Sequence, residues 1–174
     1  ELSMHPLWQK KILQYYKNLF TDANSNQTAQ LFFASHSEAV ISEALKDLDK
    51  TKVIVLKRDG NGQVSANCIG IPAVLPYTMA AEVNYQAFEL VSTDYHNALY
   101  GYIEAEGWKN NFDAQYPTVS YNRERNGTVI TQRITLTEKI RHIIHHPENR
   151  NNSYTEGDLK ESIERMRSFI MAHP

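Results

Sequence analysis

Cysteine is almost missing from this sequence: Cys68 is the single one in 174 residues. That excludes an internal disulfide framework and any zinc centre built from several thiolates, and it fits a reducing compartment. No stretch approaches the ~20 apolar residues that span a bilayer. The opening residues, Glu1 to Lys11, lack the basic-then-apolar order of a signal peptide. Neither charge sign dominates: 18 basic against 20 acidic residues give a formal net charge of −2, which excludes the global basic footprint of a nucleic-acid coat but leaves room for a local patch. No G-x-x-x-x-G-K-[ST] stretch occurs, so no loop of backbone amides with a lysine is there to cradle phosphates. Internal repeats and low-complexity segments are missing as well. Residue 1 is Glu and the first methionine is Met4, which reads as a processed or excised piece. The expectation is a cytoplasmic protein with no membrane attachment.

What is there describes an ordinary globular chain, 41% apolar, 22% charged and 10% aromatic. A chain of this length buries roughly 70% of its unfolded surface without needing a staple. Trp8, Ile12, Tyr16, Leu19 and Phe20 recur three or four apart behind Pro6, predicting an amphipathic helix over 7–20. Gln30 to Ala34 is a short apolar run of the kind buried in a parallel sheet. The polar turn Ser35-His36-Ser37 and a helix through Val40, Ile41, Ala44, Leu45 and Leu48 follow. Val53 to Leu56 and the alternating Val64, Ala66 and Cys68 flank a glycine-rich turn, predicting an edge hairpin.

Pro72 and Pro76 change the character of the text, predicting a boundary near 69–77 between a lobe over 1–70 and a mainly helical lobe over 71–174. In the second lobe, helices are predicted over 78–91 and 92–106, the latter with the stripe Tyr95, Leu99, Tyr102 and Ile103. Asn126-Gly127 between two β-branched runs predicts a hairpin near 118–134. Thr135 with Glu138 forms a capping-box pattern for a helix running to His146 and stopped by Pro147. Thr155 caps a last helix with the stripe Leu159, Ile163, Met166, Ile170. The fold class is therefore α/β in its first part and α+β overall.

Three places could carry chemistry. His36 stands at the carboxyl end of an apolar run, where open α/β sheets place ligand-contacting groups; spacing reads it equally as a cap or a half-buried polar residue. In Arg141-His142-Ile143-Ile144-His145-His146-Pro147-Glu148-Asn149, Arg141 pairs with His145, and His142 with His146, at i,i+4 on a helix. One helix end cannot close a zinc tetrahedron, so no metal is expected there, and the helix dipole by itself favours cations at that end. Arg123, Arg125 and Arg133 flank the second hairpin, where they are either a solvated face or phosphate contacts. Tyr77, Tyr85, Tyr95, Tyr100 and Tyr102 make an aromatic-rich helical region, read as core or dimer surface before base-stacking platform.

Glu1-Leu2-Ser3-Met4-His5-Pro6, a helix, and then Leu31-Phe32-Phe33-Ala34-Ser35-His36-Ser37 together resemble the segment after Walker B in ABC-like, AAA-type ATPases of the overcoming-lysogenization-defect and abortive-infection groups. The resemblance covers about the first third of the chain. It implies a truncated C-terminal part of a P-loop ATPase sheet, with His36 as the switch histidine that senses the ATP γ-phosphate. It places Glu1, Ser3 and His5 on the D-loop and Ser35 and Ser37 beside the nucleotide. It also implies that the Walker A loop and the Walker B carboxylates belong to a missing N-terminal half of the same ATPase. ATP and Mg²⁺ would then be cofactors of the longer protein, with none expected in this piece, which by itself would not hydrolyse ATP. A bacterial phage-defence or restriction-related system and a homodimer follow from the same likeness.

Arg141-His142 followed by three residues and His146 resembles the R-[NDH]-x-x-x-H motif of HEPN-domain ribonucleases. It implies Arg141 and His146 as a metal-independent RNA-cleaving pair, the histidine moving a proton and the arginine stabilising the phosphorane. The alternatives to the ATPase fragment are thus a HEPN-like ribonuclease module and a non-enzymatic dimerisation appendage that binds DNA or RNA.

Overall fold

The computed structural model describes residues 5–69, 73–125 and 127–173. The fold is mixed α+β, with helices and two small antiparallel hairpins. Among the described residues no helix is long and apolar enough to cross a membrane. The chain divides into two compact units. The first comprises 1–71 with 77–87, and the second comprises 72–76 with 88–174.

In the first unit, α1 (Pro6–Leu19) begins at His5, whose Nδ1 accepts from the Leu7 amide at 3.3 Å, with Pro6 in a position where a missing N–H costs nothing. α2 (Glu38–Ala44) packs on α1 and buries Val40 and Ile41. A single 3₁₀ turn (Leu48–Lys50) leads to β1 (Ile54–Arg58), which pairs with β2 (Val64–Cys68). The turn between them is held by Asp59, whose Oδ1 accepts from the amides of Asn61 and Gln63 at 2.9 and 2.8 Å, while Gly62 takes φ +84°. The helix expected over 78–91 is shorter, α3 (Ala80–Phe88).

The expected strand over 30–34 is irregular chain instead. A strand exists only through its ladder, and among the described residues none of the backbone groups of Leu31 to Ala34 has a hydrogen-bond partner. Nor is the run buried: Phe32 and Phe33 are exposed and Leu31 is half-buried.

In the second unit, Ser92 caps α4 (Thr93–Ala105), accepting from the Tyr95 amide at 3.2 Å. Gly107 at φ +73° ends that helix and α5 (Lys109–Asp113) follows. β3 (Thr118–Arg125) and β4 (Thr128–Thr135) form an unbroken ladder from Thr118↔Thr135 to Arg125↔Thr128. α6 (Leu136–His145) and α7 (Glu156–Met171) complete the unit, and α4, α6 and α7 pack on one another. Tyr95, Leu99, Ile140, Ile163 and Met166 are all fully buried. Thr155 and Asp158 cap α7 reciprocally. At α6 only half of the expected box forms: the Glu138 amide donates to Thr135 Oγ1 at 3.2 Å, but the Glu138 carboxylate turns to Lys109, at 3.3 Å. An ion pair at this half-buried position outcompetes a return to the cap.

Candidate functional site

Two places gather the residues that the sequence singles out. In the first unit, Ser35 and Ser37 build the turn that presents His36. The Ser37 amide donates to Ser35 Oγ at 3.0 Å, and Ser37 Oγ accepts from the Val40 amide while donating to Gln9 Oε1 at 2.7 Å. Both hydroxyls therefore fix the entry of α2, that of Ser37 ties it to α1, and His36 between them is exposed. His5 caps α1. Glu1 and Ser3 lie outside the described residues.

Beside this turn is a hollow of about 500 Å³, lined by Ile12, Tyr16 and Phe20 of the α1 side and by Leu31, Phe33 and Ser35 of the irregular segment. Tyr16 and Phe33 meet edge to face at 5.6 Å. Phe32 in the lining of the hollow is 82% exposed, and elsewhere in the same unit Trp8 and Leu56 are 64% and 68% exposed. On the β1–β2 hairpin the register sets Ile54 opposite Cys68 and Leu56 opposite Ala66, so these four share one face, and all four are exposed.

The second place is the end of α6. Arg141 is half-buried against α4, donating to Asn97 Oδ1 at 3.0 Å with its guanidinium 5.3 Å from the centre of the Tyr100 ring. Burial pushes the Tyr100 hydroxyl up to about 12. His146 stands one step past the helix, its Nδ1 3.0 Å from Glu148 Oε1. His142 stacks on Tyr121 of β3 at 5.2 Å and on His146 at 6.3 Å. The 100° step of a helix thus sends Arg141 to α4 and His142 to the hairpin, while His146, past the helix end, meets His142 and Glu148, so Arg141 and His146 take separate partners. Burial, followed by the charges of Arg141 and His146, holds His145 below the ordinary histidine range. Burial lowers His142 too, against the pull of Glu138. Beyond Glu138, Lys109 also meets Asp113 at 2.6 Å. Burial opposes the Lys109 charge, but Asp113, Tyr100 and Glu138 outweigh it and raise its pKa. Among the described residues no group of three or more His, Cys, Asp or Glu side chains could hold a metal.

Two features escape the sequence reading. The first is a buried chain across three helices: His96 Nε2 of α4 lies 3.0 Å from Ser162 Oγ of α7, which donates to Thr137 Oγ1 of α6 at 2.8 Å. The spacing of His96, Leu99, Tyr100 and Ile103 is the signal that could have found it. The second is an asparagine clamp after Pro147. Asn152 Oδ1 accepts from the Asn122 amide at 2.9 Å, Asn152 Nδ2 donates to the Asn122 carbonyl at 2.7 Å, and Asn149 Nδ2 donates to the same carbonyl at 2.9 Å. These bonds tie the hairpin to the loop. Asn152→Ala should cost about 1–2 kcal/mol and speed hydrogen exchange of the Asn122 amide; an amide exchanging as in the unsubstituted chain would show that the clamp holds nothing.

Neither a protein-family model, nor a curated protein, nor a solved structure matches the chain.

Proposed function

We propose that the first unit is the C-terminal portion of an ABC-like ATPase core whose P-loop and acidic Walker B residues lie on another segment, and that His36 is its γ-phosphate sensor. The observation that carries this reading is the Leu31–Ala34 segment. It is apolar, its backbone is unpaired among the described residues, and it borders an open apolar hollow before running directly into the Ser35-His36-Ser37 turn. A sheet strand whose neighbours lie on another segment would have these properties: a backbone open to pairing beside an exposed apolar patch. The two serines then act as positioning groups: they fix the entry of α2, which Ser37 ties to α1, and hold His36 outward, where its imidazole N–H can donate to a phosphate oxygen or orient the attacking water. Mg²⁺ and ATP belong to the assembled protein, in which the metal neutralises charge developing on the phosphates.

The test is ATP turnover by the longer protein that carries a P-loop segment together with this chain. His36→Ala should lower kcat by at least about 100-fold, the loss seen when a group that stabilises developing transition-state charge is removed, with ATP binding largely retained. Turnover equal to the unsubstituted protein would remove His36 from the mechanism, and a protein that does not hydrolyse ATP at all would remove the ATPase reading.

A further inference from the structure

A different part of the molecule carries an inference that does not rest on the ATPase reading. The β3–β4 hairpin is a two-stranded ribbon of eight residues per strand, about 27 Å long at the usual rise. It is anchored at its base, where Tyr121 and Thr135 are buried, and by the Asn149 and Asn152 clamp on Asn122. Beyond that clamp Arg123, Glu124 and Thr128 to Thr131 are exposed. The distal half therefore stands in solvent with apolar side chains showing, Val129 51% and Ile130 53% exposed.

Charge separates this ribbon from the rest of the chain. Residues 118–135 hold three arginines, one glutamate and no lysine, a formal +2 within a protein of net −2, which leaves −4 for everything else. Glu124 is occupied by Asn151, whose Nδ2 donates to it at 3.0 Å. Arg133 folds back on the base of the ribbon, donating to Thr118 Oγ1 and O at 3.0 and 2.6 Å, and so stiffens it. Arg123 is exposed and has no ion-pair partner among the described residues, and it shares a ribbon face with Ile130 directly across the ladder. Its charge also reaches His142, helping to lower that imidazole.

The geometry points to a B-form DNA duplex as the occupant of this arm, with the ribbon in the major groove. That groove, about 12 Å wide, admits a two-stranded ribbon, whereas the deep narrow major groove of A-form RNA does not. A guanidinium beside a branched apolar side chain suits the groove, since the cation meets phosphate or guanine and the methyl groups meet thymine. A stiff base and a solvated tip are what insertion requires.

The experiment titrates the intact chain against a duplex of about 20 base pairs at about 50 mM salt. A Kd of about 1–100 μM is expected, weakening about tenfold on going to about 200 mM. Arg123→Glu, at an exposed position that leaves the fold intact by its melting curve, should weaken binding about tenfold and reduce the salt slope by about one. An RNA duplex of the same sequence should bind several-fold more weakly than the DNA. Absence of DNA binding, binding unchanged by Arg123→Glu, or equal affinity for the RNA duplex overturns the proposal. So does a concentration-dependent dimer that Arg123→Glu breaks without affecting DNA affinity, which would assign the ribbon to a second copy of the chain.

Discussion

Ile163→Ala should destabilise the helical unit by about 3–4 kcal/mol, lowering its melting temperature by more than about 10 °C. Ile163 is wholly buried on α7 in a core that also holds Leu99 of α4 and Ile140 of α6, likewise without exposure. The helices that meet there are held by their own caps, so they will not collapse into the space left by three deleted carbons, and the transfer loss and the cavity cost add. The contrast with Leu56→Ala is part of the prediction. Leu56 is 68% exposed on β1, so that truncation should change stability by no more than about 0.5 kcal/mol. Thermal unfolding followed by near-ultraviolet circular dichroism measures both. A small effect at Ile163 would mean that the core of the helical unit has been misassigned, and a large one at Leu56 that the exposed face of the β1–β2 hairpin has been.

That contrast marks how far the sequence could be read. Local signals transferred well. Thr135 and Thr155 cap helices because a hydroxyl reaches the amide three residues on whatever the rest of the chain does, and the hairpin turn shows Gly127 at φ +76°, Asn126 lying outside the described residues. Long-range partners were not legible. Gln30 to Ala34 had the composition of a buried strand, but strand character depends on neighbours that no local pattern supplies. In α4 the stripe residues Tyr95, Leu99 and Ile103 are buried as expected, but Tyr102 is half-exposed and meets Trp108 edge to face, and Tyr100 and His96 complete the buried face in its place. A period of 3.6 fixes the width of an apolar face better than its centre when tyrosines occupy both borders. At the candidate sites the residue types were visible, while their partners were not. Arg141 is engaged by Asn97 and Tyr100, 44 and 41 positions away in sequence, and Asn149 and Asn152 are bonded to Asn122, 27 and 30 positions away.

Acidification should destabilise the helical unit through His96. The imidazole is wholly buried, its Nε2 lies against Ser162, and its Nδ1 has no hydrogen-bond partner among the described residues. With the Ser162 hydroxyl directed to Thr137, Nε2 takes the donor role towards Ser162 and Nδ1 is left as the acceptor. Burial, with the Arg141 charge and a smaller contribution from His145, lowers His96 to about 4, against a weaker opposing pull from Asn97. The unfolded chain takes up this proton near pH 6.5 and the folded chain only near 4, so the neutral form stabilises the fold fully above pH 6.5. As the pH falls from 6.5 towards 4, stability drops by about 1.4 kcal/mol per unit, reaching a loss of about 3 kcal/mol. His96→Asn keeps a polar group near Ser162 but cannot titrate. Its stability should therefore be lower at pH 7 and flatter with pH, and the difference between the two curves isolates His96 from His142, His145 and the acidic side chains. Parallel curves from pH 7 to 4 would mean that His96 is protonated in the folded state, with a partner at Nδ1 that the helix junction does not provide.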